Sequence, residues 1–249
     1  MKETVLERFA MTALAVSLLA CTGGKTPGST NDSGDSARVS QQAPGEVPDG
    51  GQEEDGRYLS PDLMMDELQG RVKMCTLKQA SCNQDGEVDK TAYWMETTKV
   101  YGQDGFLALQ DKAMNWRLSD PKIERNDKQQ VTKVSWYISD YNTDVQEVYT
   151  YYDNGMVKSC KSLGIENEDE TQYFYDADRM LQKTLSHGAG EGTIFRTTTT
   201  YTILDTDEQG NWTRRILKQT IEDGPDDGRG SYENSIDEYS IQLRDIVYW

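Results

Sequence analysis

A short unit recurs along this chain: an aromatic strand end, an acidic or glycine-containing turn, then an apolar restart. Its clearest copies are Tyr151-Tyr152-Asp153-Asn154-Gly155-Met156-Val157 and Tyr173-Phe174-Tyr175-Asp176-Ala177-Asp178-Arg179-Met180-Leu181. Val100-Tyr101-Gly102-Gln103-Asp104-Gly105-Phe106-Leu107 and Leu204-Asp205-Thr206-Asp207-Glu208-Gln209-Gly210-Asn211-Trp212 are weaker copies, and Asn126-Asp127-Lys128-Gln129-Gln130-Val131 is a decayed one. Anchored on Asp104, Asp127, Asp153, Asp176 and Asp207, the units lie 23, 26, 23 and 31 residues apart. The long interval holds an insertion at residues 186–192, read as an exposed glycine-rich turn. A period in the low twenties with one tight turn is the length of two strands and two connections, so each unit is expected to be a β-hairpin stacked on the next. Asp153-Asn154-Gly155 is a turn whose residues tolerate the positive φ of tight hairpins.

The stretches between turns are aromatic and β-branched with period-two alternation, the mark of half-buried strands. Residues 71–77, 91–101, 131–139, 145–152, 193–204 and 211–221 qualify, and Tyr239, Ile241, Leu243, Val247 and Trp249 share one strand face, broken by Asp245. One short helix is expected to open the folded part. Ser60-Pro61-Asp62 offers a cap, a first-turn proline and a first-turn acid, Gly70 a stop, and Leu63, Met64 and Leu68 a buried stripe. The fold class is therefore mainly β, an antiparallel β-hairpin meander in an extended or curved sheet, with one short N-terminal helix.

These motifs resemble the YD repeats of bacterial Rhs-type and wall-associated proteins, in which Tyr-Asp, a Gly and an apolar restart recur along hairpins. The likeness spans residues 100–217, and Gly210-Asn211-Trp212-Thr213-Arg214-Arg215 is similar to bacterial lipoproteins carrying such repeats. Asp178-Arg179 lacks the expected Gly, and the first and last copies lack Tyr-Asp. The resemblance implies an extended β architecture with a shell, spacer or binding role, not a named activity.

The first residues carry Lys2 and Arg8 against Glu3 and Glu7, and a weakly polar to apolar run follows over residues 9–20, too short to span a bilayer as a helix. Leu18-Leu19-Ala20-Cys21 resembles the lipobox of bacterial lipoproteins. That resemblance implies a signal peptide over residues 1–20, diacylglycerol on the Cys21 thiol, and anchoring by two or more acyl chains at about 0.8 kcal/mol per buried methylene. Thr22 is not the aspartate associated with inner-membrane retention, so an outer-membrane location is expected, with the face undecided. Residues 21–57 are dominated by Gly, Ser, Thr, Pro, Asp, Gln and Glu and cannot offset their ordering entropy. They are expected to form a tether of roughly 35 residues with an r.m.s. span of about 30 to 35 Å, leaving residues 58–249 as the β-repeat domain.

Beyond Cys21, three cysteines remain in an oxidising compartment, and Cys75 with Cys82 is a possible disulfide closing a short loop. No CxxC pair or nearby histidine completes a zinc site. The leader holds two acids and two bases, so the mature chain keeps the formal charge of −17, a surface that disfavours nucleic acid and anionic headgroups as direct partners.

His187, the single histidine, lies in the glycine-rich stretch Ser186-His187-Gly188-Ala189-Gly190-Glu191-Gly192 and reads as a loop residue, without a positioned nucleophile or orienting acid. The same glycines lack the lysine and helix of a phosphate loop. Asp205 and Asp207 match the opening of a calcium loop, but the position of its bidentate glutamate is Ile216, which leaves at most weak calcium binding there or by the acidic stretch 222–227. With 43 acids, two of them in the leader, some carboxylate pair always meets a glycosidase spacing, so that signal decides nothing. Trp94, Trp116, Trp136 and Trp212 could form a sugar-stacking surface or belong to the core. The expectation is thus a non-enzymatic interaction or scaffolding module of the envelope, without a cofactor, bound to the membrane through lipid at Cys21 and facing a protein or glycan partner. Carbohydrate binding or processing and calcium-dependent adhesion stand as alternatives.

Overall fold

In the computed structural model of the chain, the described residues are 52–54, 57–110, 121–138, 142–164, 167–190, 192–226 and 230–249. The signal segment, Cys21 and most of the expected tether lie outside them. Strand β1 (Gln52–Glu54) pairs with β2 (Arg57–Leu59), so paired backbone begins inside the span read as tether. Helix α1 (Pro61–Met65) follows.

Twelve strands then build one sheet. They are β3 (Val72–Ser81), β4 (Met95–Tyr101), β5 (Leu107–Gln110), β6 (Lys122–Arg125), β7 (Val131–Ile138) and β8 (Thr143–Tyr151). β9 (Val157–Leu163), β10 (Asn167–Tyr175), β11 (Leu181–Gly190), β12 (Thr193–Thr206), β13 (Trp212–Pro225) and β14 (Asn234–Tyr248) complete the set. Their order is β5-β4-β3-β14-β13-β12-β11-β10-β9-β8-β7-β6, with every neighbouring pair antiparallel. The expected meander is present. Its one non-sequential pairing, β14 with β3, brings the last strand against the first strand of the sheet. Within the insertion at residues 186–192, residues 186–190 are strand, not loop. β11 runs on through Gly190, and Gly190 pairs with both Asn167 and Thr193, because glycine backbone still supplies ladder hydrogen bonds.

The five aligned turns share one backbone geometry. In each, the first residue's N–H donates to the fifth residue's carbonyl and the fourth residue's N–H donates back to the first residue's carbonyl, as in Tyr152 to Met156 (2.9 Å) and Gly155 to Tyr152 (3.0 Å). The fourth residue has positive φ in all five: Gly105 (75°), Gln129 (63°), Gly155 (85°), Arg179 (66°) and Gly210 (83°). This is a tight turn ending in a left-handed residue, the form that joins twisted strands. Aligned by this geometry, the turns start at 102, 126, 152, 176 and 207, spacings of 24, 26, 24 and 31 residues. The aspartates used as anchors occupy different turn positions. Asp176 and Asp207 stand first and cradle the amides two and four residues on, whereas Asp104 stands third and accepts only the Phe106 amide.

All five turns lie at one end of the sheet, where α1 docks. Ser60 caps α1 by accepting the Leu63 amide (3.2 Å) and donates its hydroxyl to the Gly105 carbonyl (2.6 Å). Leu63 (0% exposed) and Leu68 (2%) are buried as expected, but the third buried residue is Met65, not Met64. Met64 instead lies over Gly155, where an added Cβ would meet its methyl carbon at 2.7 Å. The helix stops well before Gly70. Arg244 of β14 donates to the Asp66 and Glu67 carbonyls (2.6 and 3.1 Å), taking two acceptors from the helix end.

Asp62, 1% exposed, holds both ends of the ladder. It accepts the Leu107 amide of β5 (2.9 Å) and both terminal nitrogens of Arg125 of β6 (2.7 and 2.9 Å). β5 and β6 do not pair with each other, yet one carboxylate contacts both, so the sheet must curl around α1. The core accordingly draws Val72, Cys75, Tyr101, Val134, Trp136, Tyr149, Cys160, Tyr173 and Leu181 from strands across the sheet, together with Leu63, Met65 and Leu68.

Three outcomes follow in urea denaturation. Asp62→Ala should lower stability by about 2 to 3 kcal/mol, since it removes the carboxylate from a partly exposed guanidinium and strands the buried Leu107 amide. Gln129→Gly should be neutral or stabilising by up to about 1 kcal/mol because it relieves a left-handed backbone. Gly105→Ala should destabilise, since its Cβ would meet Ser60 at 2.7 Å.

Candidate functional site

Two polar centres lie on the side of the sheet that faces α1. The first is built where α1 gives way to β3. Asp66 contacts the Lys99 ammonium and accepts the Tyr101 hydroxyl (2.6 Å). Glu67, held at φ 55°, accepts Arg215 (2.8 Å) and the Trp212 indole N–H (3.2 Å). The Arg215 and Arg244 guanidiniums lie 3.8 and 3.6 Å from the Trp212 ring centroid, distances that place them on opposite faces of the ring. Each cation at the face of a buried aromatic contributes on the order of 1 to 2 kcal/mol. Asn211 closes the group. Its Oδ1 accepts the Gln69 amide (2.8 Å), and its Nδ2 donates to the Gln69 carbonyl (2.9 Å) and the Tyr248 hydroxyl (2.6 Å). Each carboxylate is matched by a cation from a strand, so the group locks the inserted segment in place.

The second centre is a row across β8 to β12. Pairing register sets Glu147 beside Ser162, Ser162 beside Asp169, Asp169 beside Gly188 and Gly188 beside Phe195. Gly188 is required there, because an added Cβ would lie 2.2 Å from the Phe195 ring and 2.8 Å from the Asp169 Cβ. Glu147 and Asp169 are each 5% exposed, and neither forms an ion pair among the described residues. Burial pushes the Glu147 carboxyl up to about 8, against the Tyr149 hydroxyl that donates to it, and burial pushes Asp169 up to about 6. Burial also raises the Cys160 thiol, so it stays protonated and is no nucleophile at neutral pH. A void of about 10 Å³, room for one water, lies nearby between Met65, Glu67, Tyr149, Val157, Tyr173, Tyr175 and Leu181. This row can hold protons through the neutral range.

The sequence candidates scatter. Cys21 and Trp116 lie outside the described residues. Cys75, Cys82 and Cys160 are free thiols. Cys75 is inside β3 and Cys82 directly follows it, so seven residues at about 3.3 Å separate them by roughly 23 Å, far beyond the about 7 Å a disulfide allows. The expected Cys75–Cys82 bridge is therefore corrected. His187 is exposed on strand β11 opposite Glu170 and Arg196, not in a loop. Asp205 pairs loosely with Arg214 (4.0 Å), while Asp207 accepts the Gln209 and Asn211 amides and contacts the Tyr248 hydroxyl. These aspartates thus serve the turn and its neighbours, and no cluster with metal-ligand character occurs among the described residues. Trp136 (5% exposed) and Trp212 (0%) are core, which removes them from any sugar-stacking surface, and Trp94 is 38% exposed.

Glu67 and Glu147 escaped the sequence reading, and Asp62 was read there only as a first-turn acid of the helix. For Glu147 a signal existed: alternation sets it on one strand face with Val145 and Tyr149, an acid where an apolar residue is expected. For Asp62 and Glu67 there was none, since their partners lie 63 and 148 residues away.

No protein-family model and no curated protein matches this chain. Among solved structures, a porin-like protein from Bacteroides uniformis is matched with a TM-score of 0.30 and 11% identity, over 72% of this chain and 98% of that one. A likeness this low carries no argument.

The raised carboxyls make a signed prediction. An acid whose folded pKa exceeds its unfolded value favours folding at low pH, and that contribution is lost as pH rises from about 4.5 through about 8 for Glu147. Glu147→Gln should therefore match the parent near pH 5 and exceed it in stability by a few kcal/mol near pH 8.5, measured by denaturant titration at both values.

Proposed function

We propose that this chain is a membrane-anchored lipoprotein acting as a non-enzymatic interaction or scaffolding module at the outer membrane of a bacterial envelope. The observation that supports this reading most is the occupied interior. The helix-facing side of the sheet is filled by α1, its following turn and their matched cations, which leaves the outward face and strand margins for contact with other molecules. The lipobox Leu18-Leu19-Ala20-Cys21 and the polar stretch after it supply an address and a reach. Outward positions carry cross-strand ion pairs, Lys161 with Glu168 (2.5 Å), Arg196 with Glu222 (2.6 Å) and Lys218 with Asp237 (2.8 Å), a surface suited to water and unlike the apolar outer band of a membrane-spanning barrel.

Cells expressing the full chain and fed labelled palmitate should place the label on it and carry it in the outer-membrane fraction. Cys21→Ser should abolish labelling and shift the protein out of that fraction. A label-free parent would sink the anchoring reading, and substrate turnover by the purified chain, lost on a single substitution, would sink the non-enzymatic one.

A further inference from the structure

Among the exposed apolar residues of the outer face, one group lies together at the end of the last strand. Register sets Val247 of β14, Met74 of β3 and Val100 of β4 side by side, with Leu109 of β5 next in the row. Val247, Met74 and Val100 alternate with Ile246, Cys75 and Lys99, which face α1, so they point outward. Val247 is 43% exposed and Trp249, which extends the same face, 52%. Lys73 holds its ammonium 4.8 Å from the Trp249 ring centroid. The polar limit of the patch is Asp245, paired with Lys78 (3.0 Å).

Strand β2, which precedes the sheet in the chain, lies beside this spot. Arg71 accepts the Trp249 amide at its carbonyl (2.9 Å) and lays its guanidinium 4.4 Å from the ring centroid of Tyr58 in β2. We propose that the patch of Trp249, Val247, Met74 and Val100, flanked by Arg71 and Lys73, rests on the lipid surface in which Cys21 is anchored, with Trp249 at headgroup level.

This inference rests on the reading that Cys21 carries lipid. The chemistry is that of an interfacial contact: an amphipathic indole with an ammonium at its ring, and aliphatic neighbours on the same face. In a chain of net charge −17, Lys73 sets a cation beside the exposed indole, the charge that headgroup phosphates accept. The patch is too small to hold a free domain on a bilayer. Lipid on Cys21, about 30 residues before β1, would change that, because it turns docking into an intramolecular event at about millimolar effective concentration.

The test reconstitutes the purified, lipidated full chain in vesicles of phosphatidylcholine and phosphatidylglycerol whose acyl chains carry bromine near the headgroup, and reads tryptophan quenching. The parent should be quenched, and Trp249→Phe should be quenched less, with Trp136 and Trp212 buried and Trp94 and Trp116 unchanged between the two chains. Val247→Asp, which keeps all the tryptophans and changes an exposed site, should also reduce quenching, with the far-ultraviolet circular dichroism of both variants unchanged. Intact mass reports lipid on Cys21 separately. Lipid present with quenching unaltered in both variants overturns the inference alone and points to a protein occupant of the patch. Lipid absent overturns it together with the anchoring reading.

Discussion

The structure depends on one carboxylate that meets two strands. A twelve-stranded twisted sheet can lie open, fold over or curl, and backbone ladders alone do not choose among these. Asp62 chooses, because its oxygens accept from β5 and β6 at the same time. Since those strands are the two ends of the ladder, satisfying one side chain draws the margins together and wraps the sheet around the segment that carries it. Edge strand β6, four residues long, exposes little unpaired backbone at the margin, and Lys122 and Glu124 mark it with charge. Both are devices that discourage edge-to-edge association.

The inserted segment is held by a second principle, the matching of each buried acid to a cation from a different strand. Asp62, Asp66 and Glu67 point into the sheet, and β6, β4 and β13 answer with Arg125, Lys99 and Arg215. Such pairs contribute modestly to net stability, because desolvation offsets most of their attraction. What they supply is specificity of position, since a shift of one residue in α1 would leave several charges buried without partners. The left-handed glycines at the turns work in the same direction. Gly105, Gly155 and Gly210 present bare backbone to Ser60, Met64 and Gln69, so the ring of turns and the segment beneath it fit at contact distance.

Glu147 and Asp169 break this pattern, being buried acids without cations. Burial raises both carboxyls, so Glu147 enters neutral solution largely protonated and costs less to bury than an ion would. Gly188 and Phe195 pack beside them, and the insertion that lengthens β11 and β12 is what brings the Phe195 ring over the row. This hairpin extension is therefore part of the interior's construction, although in sequence it reads as a glycine-rich loop.

By itself the sequence determined what local stereochemistry decides: antiparallel strands from period-two alternation, tight turns from Asp, Asn and Gly, and a capped helix at Ser60. It also carries the lipobox at Cys21. Gln129 and Arg179 show its limit, for they take the left-handed turn position without being glycine, and the turn register was legible only from hydrogen bonds. The tertiary structure alone decided that the sheet curls, that Met65 replaces Met64 in the core, that Trp212 is clasped between two arginines, and that Cys75 and Cys82 stay apart. The physical reason is common to all four. Alternation says that a residue has two possible faces, but only contacts across many tens of residues, such as Asp62 with Arg125 and Glu67 with Arg215, say which face becomes the inside.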